Sequence, residues 1–276
     1  MKYEHVIIGA GITGMKVMLA AQKLGLKNVL LVDHNPKLGG FNSAIYQEKG
    51  FEKERSLISE CNDTPYEIWT NSTVIGLFES SDDSPHEINI QTPDGTKDIK
   101  AAYIYICSGS LAKPREAHKI GGTRPAGVMT SNMAAGLLDR DILPGNQVAV
   151  YVNSKETLAS AEVLAAKGVA VQQINADQHL IHMIYGKNHL EKIDIIHKEN
   201  KELQTIECDS LIFSEGLIPA TFYLRGTGIE LNEDHFVKTG VDGTTNVKNI
   251  LAFGTCTVQQ DAQESEIEKS IKQILQ

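Results

Sequence analysis

Three glycines at fixed spacing open the chemical reading of this chain. Gly9-Ala10-Gly11-Ile12-Thr13-Gly14 is a complete G-x-G-x-x-G. It directly follows the apolar run Val6-Ile7-Ile8, which reads as a buried strand, and it opens a helical pattern. Each glycine has its own task. Gly9 permits the tight turn, Gly11 lacks the Cβ that would fill pyrophosphate space, and Gly14 lets helix and strand pack closely. The helix start adds free N–H groups and the positive end of a dipole. Asp33 lies 19 positions beyond Gly14, at the end of the apolar run Val29-Leu30-Leu31-Val32. Its carboxylate can accept from a ribose 2′-OH and would repel a 2′-phosphate. These residues are suited to hold a dinucleotide without a 2′-phosphate.

Other reactive side chains offer less. Cys61, Cys107, Cys208 and Cys256 are scattered and form no C-x-x-C, so reduced structural thiols are expected rather than a redox pair, a cluster or a zinc site. His179, His182 and His189 lie close in sequence, but on a strand His179 and His182 fall on opposite faces, so no metal is expected. No residue stands out as a general base, and the catalytic residues stay unassigned.

The elements that must position the turn can be read from apolar runs and stop signals. Two segments share the order strand, turn, helix, strand: Glu4 to Asp33 and Gln147 to Asn175. Each helical stretch ends in Lys and Gly (Lys23/Gly25; Lys167/Gly168), which is helix-stop chemistry. Between them, Glu67–Phe78, Glu87–Thr92 and Ile99–Ile106 read as antiparallel strands leading into one more buried strand. Turn residues at 80–85 and 93–96 separate them. Lys192–His197, Leu203–Glu207 and Ser210–Ser214 follow the second unit. Ile250–Phe253 and an amphipathic helix, Ser265–Leu275, close the chain. Two such βαβ units suggest two dinucleotide-type domains, an α/β architecture.

Composition agrees. The chain has 276 residues, 41% hydrophobic and 22% charged, with 8 prolines, a globular profile. Its net charge of −9 disfavours nucleic acid and anionic membranes. No apolar stretch approaches the roughly 20 residues that span a bilayer. Chemistry begins at Val6, which leaves no room for a signal peptide, so a cytoplasmic protein is expected.

Asp33-His34-Asn35-Pro36-Lys37-Leu38-Gly39-Gly40 resembles the acidic-x₅-Gly-Gly element of flavoproteins with two dinucleotide-binding domains, the pyridine nucleotide-disulfide oxidoreductase superfamily. Tyr103–Ser110 resembles their "Ala-Thr-Gly" strand, and Val247–Cys256 their late "Ala-x-Gly-Asp" strand. The resemblance covers nearly the whole chain. It implies a Rossmann-like FAD domain, residues 1–112 plus 236–276, and an inserted second dinucleotide-binding-like domain, residues 113–235. It implies FAD contacts at Gly9, Ala10, Gly11, Thr13, Gly14, Asp33, His34, Gly39, Gly40, Val74, Ser108, Gly109, Gly254 and Thr255. A closer resemblance is carried by Lys113-Pro114, Pro125–Thr130, Leu143-Pro144-Gly145 and Cys208–Ala220. These look like the FAD-binding subunits of opine oxidase, sarcosine oxidase and hydrogen cyanide synthase.

The sequence departs from that pattern in three places. The second turn, Val152-Asn153-Ser154-Lys155-Glu156-Thr157, keeps none of the glycines. Ser154 reads there as a helix N-cap with Glu156 in the first turn, so nicotinamide binding is expected to be lost and NAD(P) is disfavoured. Thr255 stands where the family has Asp. No cysteine pair faces a flavin, which excludes thioredoxin-reductase chemistry. The expected function is an FAD-dependent oxidoreductase that dehydrogenates a small amine or amino acid, or the flavin subunit of such a complex. Its partners would be a small-molecule substrate and a partner subunit or a second copy. An NAD(P)H-dependent flavin reductase of an electron carrier or quinone is one alternative. A degenerate flavoprotein with a structural or regulatory role is the other.

Overall fold

A computed structural model describes residues 1–80, 84–260 and 262–276. Part of the turn expected at 80–85 therefore lies outside the described residues. The chain forms two compact units. The first comprises Met1–Gly40, Phe51–Leu111 and Ile218–Gln276, and the second Phe41–Gly50 and Ala112–Leu217.

The first unit begins with β1 (Lys2–Ile8), α1 (Ile12–Lys23) and β2 (Val29–Val32), followed by α2 (Glu52–Asn62). β3 (Glu67–Trp69), β4 (Thr73–Phe78), β5 (His86–Thr92) and β6 (Gly95–Ile106) come next. β1 pairs in parallel with β2 and β6, aligning Ile8 with Val32 and with Ile106. Val6 and Ile8 pack into one buried cluster and Ile7 into another. Both faces of the central strands are covered, which is why they read as unbroken apolar runs.

One expectation fails here. Glu67–Phe78 is not an antiparallel strand throughout. β3 pairs in parallel with β2, matching Val32 with Trp69, and sits at one end of the sheet order, while β4 sits at the other. A turn at 70–72 separates the two, with Asn71 at φ 50° and the Ser72 hydroxyl donating to the Thr70 carbonyl at 2.9 Å. β4, β5 and the first half of β6 are antiparallel as expected.

In the second unit, α3 (Ser131–Leu138) precedes β7 (Gln147–Val152), α4 (Lys155–Ala166) and β8 (Ala170–Asn175). β9 (His179–Tyr185), β10 (Lys192–His197), β11 (Leu203–Glu207) and β12 (Ser210–Ile212) follow. β8, β7, β12 and Val128–Met129 make a parallel sheet, and β9–β10–β11 an antiparallel one.

The chain then returns to the first unit, adding β13 (Ile250–Ala252) in parallel to β6 and ending in α5 (Glu264–Ile274). Ile267 and Ile271 of α5 are fully buried with α1 residues Met15 and Met18. The return comes earlier than the expected boundary at 236. Residues 218–235 belong to the first unit because Leu224 and Ile229 pack in its core with Val237. Residues 41–50, expected in the first domain, group with the second unit. Among the described residues, no helix is long and apolar enough to cross a membrane.

Candidate functional site

The first turn is built from strand ends. Gly9 N donates to the Val32 carbonyl and Cys107 N to the Ile8 carbonyl, each at 2.8 Å, and Phe253 N donates to the Ile106 carbonyl at 2.9 Å. β1, β2, β6 and β13 are thereby aligned at one end, where Gly9–Gly14, Asp33, Ser108–Gly109 and Gly254–Thr255 emerge.

Each glycine of the motif has a distinct surrounding. Gly9 has φ 104°, and a Cβ there would strike the Cys107 carbonyl. A Cβ on Gly14 would strike the Gly9 carbonyl. Nothing lies within 4 Å of the place a Gly11 Cβ would occupy. Gly11 therefore fronts open space, while the other two are needed for packing. No side chain caps the start of α1, and its first turn holds no acidic residue.

The second loop closes on the first. Gly39 N donates to the Ala10 carbonyl at 2.9 Å, and a Cβ on Gly40 would lie 3.3 Å from Gly11 Cα. Asp33 is 5% exposed; its Oδ2 accepts from Ala10 N at 2.5 Å and its Oδ1 from Asn35 N at 2.6 Å. The exposed His34 has Nδ1 3.5 Å from the same carboxylate. Asn71 N donates to the Asn35 carbonyl and Ser72 N to the Asp33 carbonyl, which ties the turn after β3 to this loop. Val74 lies in the core cluster that holds Ile8 and Val32.

The far side is small and hydroxylated. A Cβ on Gly254 would meet the Thr13 side chain, and one on Gly109 would lie 3.6 Å from Thr255 Oγ1. The Ser108 hydroxyl is buried without a hydrogen-bond partner, and so is the Tyr223 hydroxyl. The two are near enough to influence each other without reaching hydrogen-bond geometry. Burial raises the Tyr223 phenol, so it stays a neutral donor. At the Asp33 end, Asn35 Nδ2 is a third buried donor without an acceptor. The sequence reading missed Asn35 and Tyr223; their free polar atoms arise from packing and leave no mark in the string.

An open cradle at Gly11, an uncapped helix start and three unmatched polar atoms fit an extended ligand rich in acceptors, as FAD is. The cysteines do not add redox chemistry. All four are buried, and burial pushes Cys61 and Cys208 up to about 12 and raises Cys107 and Cys256 as well. Protonated thiols are poor nucleophiles.

The second turn is arranged differently. Thr157 Oγ1 accepts from the main-chain N–H groups of Asn153 and Ser154, each at 3.1 Å. Ser154 Oγ accepts from Thr157 N at 3.3 Å, completing a capping box. Asn153 Nδ2 donates to the Ser214 carbonyl, and the Ser214 hydroxyl donates to Ser131 Oγ at 2.7 Å. Three main-chain N–H groups of this turn, those of Asn153, Ser154 and Thr157, are taken by the chain's own side chains.

Comparisons with known proteins fit the architecture. The pyridine nucleotide-disulphide oxidoreductase family matches residues 146–274. Ferredoxin–NADP reductase of Streptococcus pneumoniae serotype 19F (strain G54) is 25% identical over 287 residues, covering 92% of this chain and 86% of that protein. L-proline dehydrogenase from P. horikoshii superposes with a TM-score of 0.70 at 18% identity, covering 99% of this chain and 59% of that one. Thioredoxin reductase of T. acidophilum superposes with a TM-score of 0.62 at 18% identity, covering 99% and 97%. The fold is a Rossmann-like α/β fold of the two-domain FAD oxidoreductases. These similar proteins are named as oxidoreductases.

Proposed function

We propose that this chain binds FAD at the first turn and dehydrogenates a small amine or amino acid, alone or as the flavin subunit of a complex. The contrast between the two turns carries this reading. Gly11 fronts open space beside an uncapped helix. At the second turn, Asn153, Ser154 and Thr157 spend their main-chain N–H groups on Ser154 and Thr157 themselves. An enzyme with a flavin site and no nicotinamide site must draw electrons from another donor.

FAD when bound supplies a two-electron acceptor, and the protein supplies position and electrostatics. Gly9, Ala10, Gly11, Thr13 and Gly14 would receive the pyrophosphate. Asp33, with His34 and Asn35 beside it, would receive the adenine-side ribose, with Val74 beneath. Gly39 and Gly40 would border the pyrophosphate. Ser108, Gly109, Gly254 and Thr255 would line the passage toward the flavin. Thr255 offers a neutral hydroxyl where the family has a carboxylate, and the free hydroxyls of Ser108 and Tyr223 offset that loss.

A second reading is NAD(P)H-dependent reduction of an electron carrier or quinone. The similarity to ferredoxin–NADP reductase favours it. Anaerobic mixing separates the two. The flavin absorbance should bleach with an amine or amino acid from a panel that includes L-proline, the substrate in the name of one structural neighbour. Rapid bleaching by micromolar NADH or NADPH instead would establish the reductase reading.

A further inference from the structure

Among the described residues, five buried side-chain N/O atoms have no hydrogen-bond partner: Asn35 Nδ2, Ser108 Oγ, Tyr223 OH, Arg115 Nη1 and His118 Nε2. Three belong to the first site. Arg115 and His118 belong to the second unit and share one 3₁₀ turn, Arg115–His118, entered from Pro114. In 3₁₀ geometry, positions i and i+3 eclipse, so both side chains leave the turn on the same side.

Arg115 has a side chain only 9% exposed. A guanidinium carries five N–H donors and accepts nothing. Its Nε donates to Glu116 Oε1 at 3.0 Å, which occupies one edge. Glu116 is itself exposed and also lies 3.7 Å from Arg124 Nε, so it faces the solvent side of the turn. The buried Nη1 is left without an acceptor. His118 stands edge-on to Phe213 with ring centroids 5.2 Å apart, and Phe213 leans on Tyr151 at 5.1 Å. These rings make an apolar wall beside His118. Arg115 and His118 are themselves only half-buried as whole residues, so the turn borders the surface and is not sealed.

A buried donor without an acceptor costs about 1–3 kcal/mol, and more when charged. Arg115 Nη1 therefore calls for an acceptor, and His118 Nε2, which donates or accepts according to its tautomer, lies on the same short turn. A planar guanidinium edge takes a carboxylate or a phosphate, and the ring wall beside His118 favours the less strongly hydrated carboxylate. We propose that Arg115 and His118 form a carboxylate-binding subsite in the second unit, for a small organic acid such as an amino acid. The subsite stands independently of the flavin reading.

Isothermal titration and thermal melting of the full-length protein test it, with sodium acetate, L-alanine and sodium phosphate at constant ionic strength. Acetate, L-alanine or both should bind saturably and raise the melting temperature. Phosphate should not compete. Arg115→Gln should weaken the carboxylate by about tenfold or more, the loss of a charge-assisted bond. Where that variant fails to fold, His118→Gln should weaken binding in the same direction. No saturable binding by either carboxylate, phosphate binding as well as acetate, or full affinity in the variant would each overturn the subsite. Binding is read without flavin reduction. A protein that takes FAD but neither acetate nor L-alanine sinks this proposal alone, and the reverse result sinks the flavin reading alone.

Discussion

Ala10 N–H donates to the Asp33 carboxylate at 2.5 Å, joining the glycine turn to the end of the neighbouring strand. Asp33 also takes the Asn35 N–H at 2.6 Å and is 5% exposed. The acidic residue thus shapes the loop, in addition to the ribose contact proposed for it. Replacing it strands two main-chain donors.

Asp33→Ala should therefore lower stability without any ligand by about 2–3 kcal/mol, the cost of unpaired buried donors. It should also weaken FAD by roughly 1.5–3 kcal/mol. Melting of the flavin-free protein and flavin fluorescence titration read the two effects separately. An unchanged melting temperature would contradict the structural role, and unchanged affinity the ribose role.

Gly11 and Gly14 should separate binding from folding. Gly11 has open space at its missing Cβ, so Gly11→Ala should change stability by no more than about 0.5 kcal/mol while weakening FAD. Gly11→Val should abolish FAD binding, because the branched side chain fills pyrophosphate space. Gly14→Ala would drive a methyl group into the Gly9 carbonyl, and the protein should lose folded yield before affinity can be measured. Normal expression and melting of Gly14→Ala would refute the packing argument.

Two buried histidines set a pH dependence. His86 is 3% exposed; its Nδ1 accepts from Ser80 N at 3.0 Å, and its Nε2 donates to the Lys248 carbonyl at 3.1 Å. That pattern requires the neutral ring. Burial lowers its proton affinity below the ordinary 6.5, against opposing pulls from the Lys248 carbonyl and Glu79. His5 is lowered in the same way, with Glu4 opposing; its Nδ1 lies 3.0 Å from the Tyr105 hydroxyl. The unfolded chain binds these protons first as pH falls. Stability is full above 6.5 and is lost as pH drops through the folded values. Urea midpoints should fall between pH about 7.5 and about 5.5, and His86→Gln should shrink the difference. An equal midpoint at both values in the wild type would dismiss the effect.

Much of the first unit is legible in its residues. Val6, Ile7 and Ile8 read as buried because both faces of β1 are covered, and glycine chemistry is local enough to be written in six letters. β3 is not legible: three residues carry no period, and their parallel place beside β2 is held by bonds to distant residues, Asp33 N to the Trp69 carbonyl and Ser72 N to the Asp33 carbonyl, each at 2.9 Å. Nor is the return at 218, because nothing in Leu224 or Ile229 says which core they join. Asn35 and Tyr223 are ordinary loop and short-helix residues until packing strips their polar atoms of partners.

The second turn offers the sharpest test of why this chain would differ from nicotinamide-using relatives. Thr157 Oγ1 holds the N–H groups of Asn153 and Ser154, the donors a phosphate would need. Thr157→Val keeps the shape and removes the acceptor. It should cost about 1–2 kcal/mol, as loss of a helix cap does. If that acceptor were the sole obstacle, the freed N–H groups would now take NADH or NADPH. We expect they will not, because Val152, Asn153 and Ser154 still place Cβ atoms where the main chain must meet a pyrophosphate, and Glu156 adds like charge in the first turn of α4. Titration of the wild type and of Thr157→Val with both nucleotides should give no tight binding in either. Micromolar affinity in the wild type would remove the case against nicotinamide, and affinity gained only by Thr157→Val would show that capping alone closes the site.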